Sequence, residues 1–543
     1  MSPANRITLP LALFGLVLLV ACGTNNNVTT NNNGYSNTDF SGTYVVSFFG
    51  TDVNSETMSF FAIAGTVTAD GNGNITGGTV DINDANLGGV FTAQALSAST
   101  YSVGTDGRGS GTLVTPQGTF GIDFVLTSDS HGLISRFDGS GSGSGTMDIQ
   151  GSATQSQLTS LAFSLFGSDA NFDNFGTVGA FTLNGSGTIT AGLEDFNDNG
   201  SSAGITDQTL TGSLVLSSST NGTAIFTTPF VEGGLTFDVW VIDSSHLKLI
   251  ETDTTSGFAV VGDAFPQQTG FTGGQLVFTM AGADSGDAPL VAGGFVTTDA
   301  NGNLSNGTED YNDAGTTNSI GFTGTCNATA PFAGDRCQLA LTGFGNGTTS
   351  NLTFAAYPSA SGVLLLEDDS AGFLQGGAFA QTATAFGSPE NYGLNLSGFN
   401  NTGVADGEVD DIAQFNTTTG NNMTGVLDEN DVASALITSG LSGTYTPDSP
   451  ATGRGSMSIS TPATYNTGLT LEYYVLDNSD TLFIEGDQDQ LSMGVFELQS
   501  SPGSNVSKSA HKAGAQSAAI QSIVSLVRPF GKKNKAVKHF NQK

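Results

Sequence analysis

The chain has 543 residues, of which 75 are glycine, 37 are phenylalanine and only 12% are charged. This composition is typical of many short strands joined by tight turns, and it argues against a helical bundle or a disordered chain. Residues 22–500 hold five basic residues against all 49 acidic ones, so this body should repel nucleic acid and anionic membrane surfaces.

The N-terminus has the features of an export signal. Residues 1–21 contain one early arginine and an apolar stretch that is too short to span a bilayer comfortably. Residues 19–22, Leu-Val-Ala-Cys, resemble the bacterial lipobox, in which the cysteine is acylated and becomes the mature N-terminus. The resemblance implies a lipid anchor at Cys22, and Gly23 after it implies sorting to the outer membrane or cell surface. The alternative is an ordinary signal peptide.

An asparagine-rich segment, residues 22–38, follows the anchor. Its polar composition predicts a structureless tether between the membrane and the folded body.

Four similar modules make up the body. A D-x-N-D motif occurs as DIND at 81, DFND at 195, DYND at 310 and DEND at 428, a period of roughly 115 residues. Self-similarity around these motifs places module 1 at 39–150, module 2 at 157–268, module 3 at 269–381 and module 4 at 382–500.

Each module predicts about eight short strands. Apolar strands alternate with Asn, Asp and Gly turns such as DGNGN at 70 and DANGN at 299, which supply the positive φ that tight hairpins require. The fold class is therefore all-β, with antiparallel strands. An up-and-down barrel, similar in outline to the calycins, is favoured because closure removes exposed sheet edges. A β-sandwich is the alternative.

Two cysteines remain beside Cys22. Cys326 and Cys337 form an even pair in an exported chain, where disulfides persist. They flank the turn between the fourth and fifth strands of module 3, so we expect a cross-strand disulfide.

The D-x-N-D stretches offer hard oxygen atoms at short spacing. DFNDNG matches the first half of an EF-hand loop, but position twelve would be Thr206 and no helices flank it, which excludes the EF-hand. It also resembles the calcium motif between cadherin repeats over five residues, although here the motif lies inside each module. The sequence predicts that these oxygen atoms bind Ca²⁺, and the alternative is that they form Asx-turns at the strand ends. The predicted ligands are Asp81, Asn83, Asp195, Asn197, Asp198, Asn199, Asp310 and Asn312.

Three arginines share one position in the repeat. Arg108, Arg336 and Arg454 are expected to form a structural salt bridge that closes each module. The candidate partners are the D-x-N-D aspartates and three E-x-D pairs: Glu251/Asp253, Glu367/Asp369 and Glu485/Asp487.

Catalysis and sugar binding are weaker interpretations. Paired carboxylates can hydrolyse glycosides, but an enzyme seldom needs four copies of one site in a chain. Trp240 could be a sugar platform, yet its place in an alternating strand favours a core position.

Residues 501–543 form a tail with eight basic residues and no acidic one. We expect this basic C-terminal tail either to contact the acidic body or an anionic envelope polymer, or to be disordered.

The chain resembles the uncharacterised tandem-repeat lipoproteins of bacterial envelopes, through the lipobox and the repeats. The resemblance and the residues together predict a non-catalytic, lipid-anchored scaffold of four β modules, stabilised by calcium. Its expected partners are the membrane, through the lipid, and an envelope or extracellular polymer or a protein ligand. One alternative is a carrier of small apolar ligands in the barrel interiors, and another is a surface carbohydrate-active hydrolase.

Overall fold

The computed structural model describes residues 34–500 and residue 502, with gaps at 55–56, 171–172, 199–201, 229–233, 329–335, 346–350, 401–406, 433–434, 461–467 and 489. The predictions on the signal peptide, the lipid anchor at Cys22, Asn199 and the basic tail lie outside the described residues. Among the described residues, no helix has the length and apolar character needed to cross a membrane.

Module 1 is an antiparallel barrel whose third and fourth strands are each broken in two. Its strands are β1 (Ser41–Asn54), β2 (Thr57–Asp70), β3 (Asn74–Gly77), β4 (Thr79–Asp84), β5 (Gly89–Ala95), β6 (Ser99–Val103), β7 (Arg108–Thr115), β8 (Gly118–Leu126), β9 (His131–Asp138) and β10 (Gly141–Ile149). β2 pairs with both β3 and β4, and the ring closes where β1 pairs with both β2 and β10. Gly78, at φ +134°, makes the break between β3 and β4.

Module 2 repeats this plan with a broken fourth strand. Its strands are β11 (Ser160–Ser168), β12 (Asn174–Leu183), β13 (Ile189–Asp198), β14 (Ser202–Thr209), β15 (Thr211–Leu216), β16 (Asn221–Thr227), β17 (Leu235–Asp243), β18 (His246–Glu251) and β19 (Ala259–Pro266). β14 and β15 follow one another along a single bent edge: β14 pairs with β13, β15 pairs with β16, and a bridge between Thr188 and Ser213 closes the ring.

Modules 3 and 4 are closed eight-stranded barrels. Module 3 contains β20 (Gly274–Asp284), β21 (Pro289–Thr298), β22 (Leu304–Asp313), β23 (Thr316–Ala328), β24 (Cys337–Thr342), β25 (Thr353–Ser359), β26 (Gly362–Glu367) and β27 (Gly372–Ala380). Module 4 contains β28 (Asn391–Asn400), β29 (Gly407–Thr418), β30 (Asn422–Asp431), β31 (Ala435–Pro447), β32 (Arg454–Ser460), β33 (Leu469–Val475), β34 (Asp480–Glu485) and β35 (Gln490–Leu498). The all-β prediction and the preference for a barrel over a sandwich are both confirmed.

Two short 3₁₀ helices lie outside the barrels, at Asn37–Asp39 and Gln155–Gln157. The first belongs to a segment that the sequence analysis assigned to the tether. Tyr35 in this segment is buried, and its hydroxyl donates to the backbone carbonyl of Ser500 at 2.6 Å. The folded body therefore begins before residue 39, because Tyr35 packs where the two ends of the body meet.

Each barrel encloses its own apolar core, and a further core lies between the barrels. The shared core contains buried residues from all four modules, including Phe49, Phe166, Phe373 and Tyr474. Inward positions on each strand fill a barrel, and outward positions on the first two or last three strands of a module supply most of the shared core. The described parts of the modules thus form one body with five apolar cores and one small additional apolar cluster.

The modules are arranged as a ring. The first three strands of one module pack on the last three strands of the next: β2 on β18 and β19, β12 on β25 and β26, β21 on β34 and β35, and β29 on β8 and β9. The last of these contacts joins module 4 to module 1. The four interfaces are called seam 1–2, seam 2–3, seam 3–4 and seam 4–1 below. Each seam joins the face of the first strands in one module to the face of the last strands in the next module. This head-to-tail succession closes into a ring after four modules.

Candidate functional site

The D-x-N-D motif lies within the third strand of each barrel and faces two ways. Because side chains alternate along a strand, its first and third residues point outward, and its second and fourth point into the barrel. In module 2, Phe196 packs in the barrel core, whereas Asp195 and Asn197 point outward. Both outward residues are nonetheless buried, at 0% and 1% exposure. A buried outward position means that the next module covers it.

The outward aspartate accepts hydrogen bonds from the following module. Asp195 receives Arg336 through Nε (3.1 Å) and Nη2 (2.5 Å), together with the Tyr357 hydroxyl. Asp310 is held in the same way by Arg454, at 2.7 and 2.9 Å, and by the Tyr474 hydroxyl at 2.6 Å. The two-pronged arginine–carboxylate geometry is directional as well as strong. It fixes the register of seams 2–3 and 3–4.

Seams 1–2 and 4–1 use parts of the same arrangement. At seam 1–2, module 2 has no arginine at the repeat position, and Trp240 Nε1 donates to Asp81 at 2.8 Å. At seam 4–1, Arg108 Nη1 donates to Asp428 at 2.6 Å. Here Val125 takes the place of the aromatic donor, and it packs with Leu133 and Ile412 in a small apolar cluster.

The outward asparagine binds the backbone of the following module at every seam. Asn197 Nδ2 donates to the carbonyls of Glu367 (3.0 Å) and Gly372 (2.9 Å). The equivalent bonds run from Asn83 to Glu251 and Phe258, from Asn312 to Glu485, Asp487 and Gln490, and from Asn430 to Arg136 and Gly141. An amide is required because a carboxylate cannot donate to a carbonyl.

Glutamines at the module ends extend the seams. Gln381 Nε2 donates to the carbonyls of Thr452 and Val475, and Gln499 Nε2 donates to those of Asp106 and Leu126. The Gln499 bonds cross seam 4–1. This seam also contains an ionic contact, because His131 lies 2.7 Å from Asp148 and 3.1 Å from Glu497. The two carboxylates raise the pKa of His131 well above its ordinary value, in spite of burial.

The expected arginine salt bridges exist, and each arginine reaches carboxylates on both sides of a seam. Arg336 pairs with Asp195 and Arg454 with Asp310, in each case across a seam to the preceding module. Arg108 pairs with Asp428 across seam 4–1 and also with Asp106 nearby. Arg454 also pairs within its own module, with Asp448 and Glu472, each at 3.0 Å. The expectation is therefore corrected in part: the D-x-N-D partner of each arginine belongs to the preceding module, and contacts within the module accompany it.

The predicted calcium ligands are engaged in protein contacts. Asp81, Asp195 and Asp310 accept from Trp240, Arg336 and Arg454, and the amides of Asn83, Asn197 and Asn312 donate to carbonyls. Asp198 is buried at the inward fourth position of its motif. Within the described ranges, no group of three or more acidic, histidine or cysteine side chains has a geometry suited to a metal ion. The strand-end alternative applies at two of the motifs: Asp84 Oδ1 accepts from the backbone N–H groups of Asn86 and Leu87, and Asn312 Oδ1 accepts from that of Gly315.

The inward fourth residue of the motif faces another polar residue at the end of the first strand. In module 1 this pair is Asp84 and Asp52; burial and the Asp52 carboxyl raise the pKa of Asp84 to about 7. In module 4 the first strand offers an amide instead, and Asn400 Nδ2 donates to Asp431 at 3.1 Å. In module 1, a single proton shared between the two carboxyl groups can form the hydrogen bond that the Asn400 amide forms in module 4.

The carboxylates considered for catalysis are enclosed. Glu251, Glu367 and Glu485 are at most 1% exposed. Burial raises the pKa of Glu251 to about 8, and burial also raises those of Glu367 and Glu485 well above their ordinary value. Glu251 accepts from the amide of Asn83 at 2.6 Å, which adds it to seam 1–2.

Acidic residues as a class are more buried than the composition suggests. At least 25 of the 49 acidic residues are buried among the described residues. The net charge of −35 therefore overstates the charge at the surface.

Cys326 and Cys337 form a disulfide with a Cα–Cα distance of 5.6 Å, between the neighbouring strands β23 and β24.

Trp240 is 7% exposed and belongs to the shared core.

Sequence reasoning missed Asn430, Tyr357 and Tyr474 as functional positions, whereas Asp428 was among the candidate arginine partners. These positions could have been found from the alternation of inward and outward residues along each strand. A strand that is apolar at inward positions and carries a recurring Asp and Asn at outward positions indicates that the outer face is also covered.

No family model matches the chain, and no curated protein is significantly similar to it. Among solved structures, the isotype 1 transferrin binding protein B from serogroup B Neisseria meningitidis aligns with 68% of this chain and 84% of its own, at 10% identity and a TM-score of 0.19. A mutant of transferrin binding protein B from Haemophilus parasuis Hp5 aligns with 85% of this chain and 95% of its own, at 10% identity and a TM-score of 0.18. At such TM-scores the likeness carries no argument about this chain.

Proposed function

We propose that the chain is a non-catalytic binding scaffold of the bacterial cell surface, tethered by a lipid on Cys22. The ring geometry supports this proposal best. The polar residues that recur in each module form the contacts that hold the four barrels in one rigid body. A rigid body that presents four similar outer faces is suited to multivalent binding, because each further contact is made at high effective concentration.

The binding faces in this proposal are the fourth and fifth strands of each barrel, which lie away from the seams. Their exposed positions are rich in hydroxyl groups and poor in charge: Thr100, Ser102 and Ser110 in module 1, Thr211 and Thr223 in module 2, Thr323 and Thr325 in module 3, and Ser442, Thr444 and Ser458 in module 4. Uncharged hydroxyl faces favour a hydrogen-bonding partner, either an extracellular polymer or a protein, over a strongly charged one.

The absence of catalysis is part of the proposal, and the enclosure of the E-x-D carboxylates supports it. A hydrolytic pair must reach its substrate, and Glu251, Glu367 and Glu485 lie beneath protein atoms.

Anchoring and binding are tested separately. Labelled palmitate should enter the wild-type chain and not the Cys22→Ala variant, and trypsin added to intact cells should remove only the anchored form from the surface. Beads coated with residues 34–502 should adhere to isolated extracellular polysaccharide or to the surface of intact cells. A variant with Thr223→Lys, Thr325→Lys and Thr444→Lys should lose most of that adhesion while its melting temperature is unchanged. Equal adhesion by this variant would contradict the proposed faces.

Calcium stabilisation stays a prediction from the sequence. Its test is the melting temperature of the full chain in calcium and in chelator. A site that binds only the folded state adds about 2.7 kcal/mol at a hundredfold excess of ligand over Kd. Equal melting temperatures would remove calcium from the proposal.

A further inference from the structure

The interior of module 3 contains a cavity of about 40 Å³ at the barrel end where the β21–β22 turn lies. Its wall is apolar apart from Thr298, and it includes Phe271, Leu276, Leu304 and Phe344. A volume of this size has room for about three water-sized spheres, yet a water molecule needs two to four polar partners. The wall offers too few, so an apolar occupant is favoured over water.

Comparison with modules 1 and 4 shows which rings module 3 lacks at this end. In module 1 a plugging ring, Phe40, contacts Tyr44, Tyr101 and Phe124. In module 4 the plug is Phe386, which contacts Tyr392, Tyr445, Tyr473 and Phe496. Module 2 also lacks the three rings, but Leu161, Leu214 and Val239 occupy these positions and are buried in its core.

Module 3 keeps the plug and loses the three surrounding rings. The strand registers place Leu276, Cys326 and Ala356 at these three positions. Cys326 pairs with Leu339, as Tyr101 pairs with Gly111 and Tyr445 with Met457. Three large-to-small differences in one layer leave space that the neighbouring side chains do not fill.

The plug of module 3 is also less tightly held. Phe271 is only partly buried, whereas Phe40 is 2% exposed. In module 1 the Tyr101 hydroxyl ties the plug segment down through the carbonyl of Phe40 at 2.8 Å, and Cys326 has no hydroxyl with which to do so. Phe271 thus marks the entrance to the cavity.

We propose that module 3 binds a small, uncharged apolar guest, no larger than a xenon atom, in this cavity, with Phe271 as the movable cover. Binding would fill part of the space left by the missing aromatic rings and would be driven by burial of apolar surface in a dry, preformed site. The inference is independent of the surface-binding function proposed above, because the cavity opens at a barrel end and not on the outer strands.

The test uses xenon as the probe and the full chain as the protein. Xenon should bind at one site per chain, seen as a saturable change of the xenon chemical shift in NMR spectroscopy. Ala356→Phe, which restores the ring found at Phe124, and Leu276→Phe should each weaken binding at least tenfold while the chain stays folded. Thr317→Phe adds the same ring at an exposed position of β23, outside the proposed binding faces, and should leave binding unchanged.

Two results would overturn the proposal: no saturable xenon signal in the wild-type chain, or undiminished binding in a filled variant that keeps its native circular dichroism spectrum. If one filled variant does not fold, the other decides. A stoichiometry clearly above one that none of the variants changes would show nonspecific partition, which also contradicts a built site.

Discussion

Arg108 and Asp428 are 320 residues apart in the chain, and their side chains meet at 2.6 Å. This contact joins the first module to the last, and it repeats the arrangement that joins modules 2 to 3 and 3 to 4. The motif that first suggests a metal site is thus, in the structure, the docking element of a closed ring.

The ring-closing pair should be energetically coupled. Arg108→Met and Asp428→Asn each remove one partner, and the side chains are only 20% and 7% exposed. A double-mutant cycle in urea should give a coupling free energy of about 1–3 kcal/mol. Additive effects would mean that seam 4–1 does not form in solution.

Removal of a seam arginine should lower the free energy of unfolding more when that arginine is more deeply buried. Arg336 is 1% exposed and its partner Asp195 is 0% exposed, whereas Arg454 is 18% exposed. Arg336→Met leaves a buried, unpaired carboxylate and should lower the free energy of unfolding by about 3–5 kcal/mol. Arg454→Met should cost less, since solvent reaches that pair. Denaturant titration of both variants provides the comparison, and the reverse order would contradict the assignment.

The seam asparagines should not tolerate a carboxylate. Asn197→Asp places an acceptor against the carbonyls of Glu367 and Gly372, and should cost about 3 kcal/mol at pH 7. Burial raises the pKa of the new carboxyl, and its protonated form can donate one bond, so part of the loss should be recovered at pH 4. Asn327→Asp, at an exposed position on β23, is the control with the same charge change and should be near neutral. A loss as large in this control would mean that charge, not the seam, is responsible.

Module 4 supplies a natural control for the acidic pair of module 1. The pKa of Asp84 is raised from 3.8 to about 7 by burial and by Asp52. A carboxyl with a raised folded-state pKa contributes stability that is complete below pH 4 and lost as the pH rises through 7. Asp52→Asn copies the Asn400–Asp431 pair and should therefore raise the melting temperature at pH 8, with little or no gain at pH 4. A gain of equal size at both values would show that the shared proton is not the cause.

The barrel fold could be predicted from the sequence because each module is a local pattern. Alternation and turn residues specify strands and hairpins, and four copies at one period specify four modules. The ring could not be predicted in the same way. Asp195 and Arg336 are 141 residues apart, and nothing local distinguishes a partner in the same module from one in the next. Acidic composition was a poor guide to the surface for a related reason, since residues such as Glu251 are buried by contacts between modules.

Small-angle X-ray scattering of residues 34–502 tests the closed ring most directly. Barrels of about 110 residues have radii of gyration of about 13 Å, and four of them in a closed ring give a value of about 25 Å. Four barrels strung end to end give roughly 40 Å by the same scaling. The ring predicts the smaller value, unchanged by moderate salt because the seams are buried. A value near 40 Å would show separate modules on a string and would contradict the account.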